Sequence, residues 1–117
     1  MWEIEATDAF QAWYDALGEP ECSAVNAAVE KLVQMGPALR RPLVGYIKGS
    51  RHPHMRELIV PYRNLRVLFT FDPRRIGILL VGGDKTDRWQ EWYDENVEWA
   101  DVLYDNYLKE LAKEGLL

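Results

Sequence analysis

Several features common in other proteins are scarce or missing in this chain of 117 residues. Its single cysteine, Cys22, excludes an intrachain disulfide framework and a cysteine-based zinc site. No apolar run approaches the roughly 20 residues that a membrane-spanning helix needs. The N-terminal sequence MWEIE lacks the basic region of a signal peptide. These absences indicate a cytoplasmic protein with no membrane segment, and the length fits a single domain over residues 1–117.

Motifs for binding nucleotides and metals are also missing. The segment 82–86 superficially resembles a phosphate-binding loop, but Asp84 stands where a Walker motif needs glycine, and the upstream glycine is absent. His52 and His54 flank Pro53, so they point to opposite sides of an extended backbone, with no cysteine or paired acid nearby. We therefore expect neither a metal nor a cofactor.

Charge is plentiful but unevenly distributed. The net charge is −5, yet residues 40–88 carry eleven bases and only four acids. Residues 1–39 carry seven acids and one base, and residues 89–117 carry eight acids and two lysines. Nine of the eleven central bases are arginine, whose planar guanidinium suits phosphate. This basic segment, residues 40–88, indicates an anion-binding face, although a solvated surface balanced by internal pairs gives the same pattern.

Hydrophobic periodicity predicts an α+β fold. The predicted strands cover residues 2–6, 57–60, 65–71 and 76–81. The predicted helices cover residues 8–17, 20–35 and 89–114. Residues 38–55 have no clean period and are predicted as a loop with one short strand at most. We expect an N-terminal helical hairpin packed on a small, mainly antiparallel sheet, followed by a long C-terminal helix.

Arg66 is unusual because it lies within an otherwise apolar strand. Strand alternation places it on the same face as Leu68, so its guanidinium must reach an acid, a carbonyl or an incoming anion. A salt bridge to Glu57 on a neighbouring strand is the structural alternative. The aromatic residues of the C-terminal helix are attributed to packing rather than base stacking: Trp89, Trp92, Tyr93, Trp99 and Tyr104.

Several short motifs occur in a recognisable order. They are RRPL (40–43), KGS (48–50), MREL (55–58), LRVLF (65–69), ILLVGGDK (78–85), and Ala100-Asp101 within an acidic helix. In order and spacing the chain resembles the phage-derived HigB-like toxins of the RelE/ParE superfamily of toxin–antitoxin systems. The resemblance implies a RelE-like fold.

The resemblance also implies a metal-independent, ribosome-dependent mRNA endonuclease that inhibits translation and is neutralised by a helix-turn-helix antitoxin. Such cleavage needs a base for the 2′-OH, an acid for the 5′-oxygen, and cations on the phosphate. The expected catalytic residues are Arg66, Lys85 and Arg56, which match family positions, and His54, which is the candidate acid or base. The expected RNA-binding residues, on one concave face, are Lys48, Arg51, Arg63, Arg74 and Arg75.

The chain departs from the family pattern in three respects. Ile59 stands where many relatives have arginine, so Arg56 would have to substitute from the other strand face. Thr86 stands where many have a second lysine, and the net charge is acidic. Two other functions stay open: a non-catalytic inhibitor of a protein target, and a phage-derived interaction protein without toxicity, in which Glu57 would occupy Arg66.

Overall fold

The fold is a five-stranded sheet with helices on both faces, described by a computed structural model of residues 1–117. The strands are β1 (Ile4–Ala6), β2 (Val44–Tyr46), β3 (Arg56–Ile59), β4 (Leu65–Phe71) and β5 (Gly77–Asp84). The helices are α1 (Asp8–Asp15), α2 (Glu19–Met35) and α3 (Trp89–Lys113). The predicted α+β class, the N-terminal helical hairpin and the long C-terminal helix are confirmed. No helix combines the length and the apolar character needed to cross a membrane.

Strand order across the sheet is β1-β5-β4-β3-β2. β1 pairs in parallel with β5, and all other neighbours are antiparallel, which confirms the mainly antiparallel prediction. β5 lies inside the sheet, and its residues Ile78 to Val81 are at most 3% exposed. This agrees with the expectation that a continuously apolar strand is covered on both faces.

Several element boundaries differ from the sequence prediction, whereas one short strand agrees with it. β2 forms within the predicted loop 38–55, as the short strand that this prediction allowed. α1 ends at Asp15, and Gly18 instead caps the N-terminus of α2, where its backbone N–H donates to the Glu21 carboxylate at 3.0 Å. β5 runs on to Asp84, so Gly82 lies within the strand and does not terminate it.

Side chains on the two faces of the sheet form two separate hydrophobic cores. α1 and α2 cover the face that carries Val67 and Phe69. α3 covers the opposite face, which carries Leu68, Ile78 and Leu80. Because neighbours along a strand point to opposite faces, β4 supplies both cores and also fixes the side on which each of its polar residues emerges.

The absence of a side chain at Gly82 and Gly83 makes room for two tryptophan rings that lie directly on β5. A Cβ at Gly82 would be 2.1 Å from Cε3 of Trp13, and a Cβ at Gly83 would be 2.3 Å from Nε1 of Trp92. Any larger residue at either position would displace an indole ring. The Gly-Gly pair therefore serves packing between the sheet and its helices.

We predict that Gly82→Ala lowers the free energy of unfolding by about 1–3 kcal/mol, because overpacking forces the Trp13 ring off the strand. Urea unfolding followed by far-UV circular dichroism measures this change. In a Trp13→Ala background the same substitution should cost much less, since the ring is gone. Equal costs in both backgrounds would contradict the packing explanation.

Candidate functional site

A cleft of about 450 Å³ lies between the β2–β3 edge of the sheet and the first turns of α3. We call it the basic cleft, because four bases and one acid line it: Arg41, Lys48, Arg66, Lys85 and Glu57. The remaining lining residues are Tyr46, Ile47, Ile59, Trp89, Gln90 and Tyr93. The basic cleft therefore concentrates positive charge in a chain whose net charge is −5.

Strand register brings the central residues of the cleft together. Ile59 lies opposite Arg66 in the β3–β4 pair, and Glu57 is two residues away on the same face of β3. Arg66 in turn lies opposite Gly83 on β5, two residues before Lys85. Three adjacent strands therefore deliver Glu57, Arg66 and Lys85 to one end of the sheet.

The Glu57 carboxylate is the centre of a polar network. Its side chain is only 10% exposed, and its Oε1 accepts a hydrogen bond of 2.5 Å from the Tyr93 hydroxyl. Arg66 Nε lies 3.4 Å from the same oxygen, so the ion pair considered in the sequence is present. Nε nevertheless donates no hydrogen bond, and Nη1 donates only to the Leu65 carbonyl at 3.0 Å. Nε is closed to solvent, so the donor capacity that the Arg66 guanidinium keeps for another acceptor lies on its Nη atoms.

Lys85 is buried at 4% exposure, without an acid as ion-pair partner. Its Nζ donates to the Tyr93 hydroxyl at 3.0 Å and lies 3.7 Å from the centroid of the Trp89 ring. Burial lowers the pKa of Lys85, and the positive charge of Arg66 lowers it further. Lys85 is therefore a cation that gives up its proton more readily than an ordinary lysine.

Tyr93 joins Lys85 to Glu57. Burial raises its pKa to about 12, and its hydrogen bond to Glu57 acts in the same direction. The phenol therefore stays neutral across the physiological range, accepting a hydrogen bond from Lys85 while donating one to Glu57. This series of hydrogen bonds connects a proton donor, Lys85, to a proton acceptor, Glu57, within one cleft.

The loop before β3 is attached to α3 by two acids. Asp101 is 3% exposed and accepts from Ser50 Oγ at 2.5 Å and from the Arg51 backbone N–H at 2.9 Å. Asp105 binds Arg51 at 2.7 Å and His52 Nε2 at 2.8 Å, and the Arg51 hydrogen bond is the main cause of its lowered pKa. These contacts hold the loop beside the cleft, where Lys48 lies.

Among the residues expected to be catalytic, the structure brings Arg66 and Lys85 together but places two others elsewhere. His54 and Arg56 line a different cavity of about 220 Å³, together with Pro37. The Arg56 guanidinium packs between two aromatic rings, 5.0 Å from Tyr46 and 5.2 Å from Phe71. Arg56 does not substitute for the arginine missing at position 59, because alternation turns it to the opposite face of β3.

The expected RNA-binding residues do not form one concave face. Lys48 lines the basic cleft, and Arg51 is paired with Asp105 beside it. Arg74 binds the buried Asp72, and Arg75 lies over Trp2; both stand at the β4–β5 turn, roughly 30 Å of strand away from Lys85. Arg63 is exposed in the β3–β4 turn, against Tyr62. The basic segment therefore divides among several surfaces.

Sequence reasoning missed several residues of the cleft. Arg41 was not singled out, and Tyr93 was attributed to packing. Trp89 and Trp99 are 56% and 48% exposed, so neither ring lies in the core, whereas core packing is confirmed for the buried Trp92 and Tyr104. Trp89 and Tyr93 stand four residues apart, so they share one helix face directly after Lys85, and this spacing is a usable signal. No group of three His, Cys, Asp or Glu side chains is arranged to hold a metal ion.

The raised pKa of Tyr93 predicts a stability change at alkaline pH. A group whose pKa is higher in the folded protein stabilises it below its unfolded pKa, about 10 for tyrosine, and loses this contribution as pH rises through the folded value of about 12. The free energy of unfolding should therefore fall between these values, and less steeply in Tyr93→Phe. Urea unfolding across this range measures the slopes. Tyr46→Phe is the control: this tyrosine is 63% exposed, so its replacement should keep the wild-type slope. Identical slopes in wild type and both variants would refute the assignment of the raised pKa to Tyr93.

Comparisons with known proteins agree with this architecture. The family model described as phage derived protein Gp49-like (DUF891) matches residues 12–105. The candidate toxin HigB2 of Mycobacterium tuberculosis is 42% identical over 100 residues, covering 83% of this chain and 50% of that protein. The candidate toxin HigB3 of the same organism is 40% identical over 98 residues, covering 84% of this chain and 86% of that protein. The chain thus spans half the length of the first relative and most of the second.

A solved structure shows the same fold. The isolated RelE toxin of E. coli superposes with a TM-score of 0.62 at 11% sequence identity, covering 84% of this chain and 97% of that one. The resemblance identified from the short motifs is therefore confirmed by the family match, the two relatives and the fold. This chain belongs to the phage-derived Gp49-like family, with HigB-type relatives and a RelE-like fold.

Proposed function

We propose that the protein is the toxin of a type II toxin–antitoxin pair and cleaves mRNA on the ribosome without a metal ion. It acts in the cytoplasm, where translation takes place, and a cognate helix-turn-helix antitoxin neutralises it. The family and the naming of its relatives support the toxin assignment. The observation that carries the nuclease assignment is one cleft holding a nearly buried carboxylate among four bases.

Charge pairing supports a phosphate ligand in the basic cleft. Some arginines outside the cleft are neutralised by acids, as in the pairs of Arg51 with Asp105 and Arg88 with Glu95, while others form no ion pair. The cleft bases Arg41, Lys48 and Lys85 form no ion pair, and Glu57 is the one acid among them. Uncompensated positive charge in a concave site attracts an anion, and a phosphodiester brings its charge together with groups for recognition.

The proposed reaction assigns a separate role to each central side chain. Glu57 takes the proton of the 2′-OH, whose oxygen attacks phosphorus. The bond from phosphorus to the 5′-oxygen breaks, and Lys85 protonates that oxygen, leaving a 2′,3′-cyclic phosphate and a 5′-hydroxyl. Arg66 stabilises the charge that accumulates on the phosphoryl oxygens.

Tyr93 then offers a route for restoring the starting protonation state. Its hydroxyl lies 2.5 Å from Glu57 Oε1 and 3.0 Å from Lys85 Nζ. A proton leaving the neutral Glu57 acid for the Tyr93 oxygen, while the phenolic proton passes to the Lys85 amine, returns the carboxylate and the ammonium. Tyr93 ends the cycle neutral, as its raised pKa requires.

We predict that Lys85→Arg and Arg66→Ala separate proton transfer from charge stabilisation. Arginine keeps the charge but holds its proton at neutral pH, so Lys85→Arg should retain RNA binding and lose about 10²–10⁴-fold in cleavage. Arg66→Ala should lose about 10²–10³-fold in cleavage. Mapping of mRNA 5′ ends in a translation extract measures both. Lys109→Ala, at the far end of α3, is the control expected to cut like wild type.

Growth after induced expression distinguishes the alternatives. Arrest by wild type with new cuts inside translated codons, absent in Arg66→Ala and relieved by the co-expressed antitoxin, supports the proposal. Arrest by both proteins without cuts indicates a non-catalytic inhibitor of a protein target. No arrest from soluble wild-type protein indicates an interaction protein without toxicity.

Trp89 supports single-stranded RNA as the ligand. Its indole is 56% exposed at the cleft rim, and one face lies against the Lys85 ammonium. A base can stack on the outer face, which every base permits because each has a π-face. Single-stranded RNA therefore fits better than a duplex, whose bases are already stacked.

We predict that Trp89→Ala weakens binding of a non-cleavable 2′-O-methyl RNA by about 5- to 150-fold, the range of one base–aromatic stack of about 1–3 kcal/mol. Fluorescence anisotropy measures the dissociation constant. Trp99→Ala is a matched control, because Trp99 is a similarly exposed indole of α3 that does not line the basic cleft. Equal effects of the two substitutions would remove the stacking argument.

A further inference from the structure

We infer that Arg41 supplies a second phosphate-binding guanidinium, which reaches the basic cleft across Gly45 of the edge strand β2. The inference deepens the proposed function and rests on it for the identity of the ligand as RNA. Arg41 precedes β2 in the chain, in the RRPL motif, and the sequence gives it no role in the site. The structure gives it a defined position at the edge of the cleft.

The register of β2 and β3 explains how Arg41 enters. Gly45 lies directly opposite Glu57 in this antiparallel pair, so a side chain at position 45 would point to the same face as the Glu57 carboxylate. A Cβ built there would be 3.0 Å from Arg41 Nη2 and 3.5 Å from Glu57 Oε2. The Arg41 guanidinium therefore occupies the space that the missing side chain leaves beside the carboxylate.

The Arg41 guanidinium is available to a ligand. Arg41 is exposed and forms no ion pair with any acid of the protein, Glu57 included. On the other side of Glu57, Arg66 projects from β4, and its Nη1 donates only to the Leu65 carbonyl. Since β3 lies between β2 and β4, the two guanidiniums flank the carboxylate from opposite sides.

Two guanidiniums suit one phosphodiester group. Each presents a planar fork of N–H donors that matches a pair of phosphoryl oxygens. With Glu57 between them, a bound phosphate would be held beside the proposed base. Ile59, which lines the same wall of the cleft, contributes no charge, so the second arginine comes from a part of the chain distant in sequence from β3.

The glycine provides a test that removes no charge. Gly45 does not have a positive φ, so its backbone conformation suits alanine. The new methyl group would meet the flexible end of Arg41 and move it. Gly45→Ala should therefore reproduce the effect of Arg41→Ala, while the net charge of the protein stays at its wild-type value.

The experiment measures the affinity of the full chain for a short 2′-O-methyl RNA across a range of salt concentrations. Arg41→Ala should weaken binding about tenfold or more, as expected for a lost charge-assisted contact. It should also reduce the slope of log K against log salt by about one phosphate contact. Gly45→Ala should weaken binding similarly, and should add nothing in an Arg41→Ala background. Arg41→Lys should recover the salt slope but only part of the affinity.

Arg40→Ala is the matched control, since it removes the same charge from the adjacent exposed residue, which does not line the basic cleft. Its affinity should stay near wild type. Equal losses in Arg40→Ala and Arg41→Ala, or an undiminished effect of Gly45→Ala when Arg41 is absent, would overturn the inference. If the variants show the expected binding pattern but wild type does not cleave RNA, the nuclease proposal is refuted and the Arg41 contact still stands. Absence of RNA binding by folded wild type would overturn the Arg41 inference, whereas the nuclease proposal is refuted separately, by absence of cuts in the translation extract.

Discussion

The hydrogen bond between Glu57 and Tyr93 determines much of the architecture of the site. A carboxylate that is 10% exposed is costly to bury unless donors and cations compensate it. Tyr93 contributes a donor from α3, and Arg66 contributes a positive charge from β4. The same contacts attach the first turns of α3 to the sheet. Satisfying one buried charge therefore also forms one wall of the basic cleft.

The two-sided sheet then separates structural residues from chemical ones. On β3, Leu58 enters the core beneath α1 and α2, while Glu57 turns towards α3. On β4, Val67 likewise enters the core beneath α1 and α2, while Arg66 turns towards α3. A slip of one residue in strand register would exchange these faces and bury the arginine in an apolar core. The position of the cleft is thus as strongly specified as the hydrophobic packing that supports it.

Aromatic side chains have two uses in this fold. Trp13 and Trp92 lie on the backbone of β5 where glycines leave room, and they join the helices to the sheet. Trp89 and Tyr93 instead contact Lys85. Trp89 does so through the face of its ring, and Tyr93 through its ring and its hydroxyl. Sequence composition does not separate these uses, because on α3 Trp92 stands between Trp89 and Tyr93. Exposure separates them, and exposure depends on how the helix is rotated against the sheet.

The sequence by itself determined the order of helices and strands, the two faces of β4 and the candidate chemistry of Arg66, because these follow from local periodicity and side-chain type, while the candidate role of Lys85 followed from the family resemblance. The family resemblance also came from the sequence, in the spacing of short motifs. Only the tertiary structure decided which of the eleven bases converge. It turned Arg56 away from the cleft, carried Arg75 to the far end of β5 and brought Arg41 in across Gly45. The physical reason is that convergence depends on strand register, on the path of the loops and on helix rotation. All three are fixed by long-range packing and by compensation of buried charge, and no local pattern encodes them.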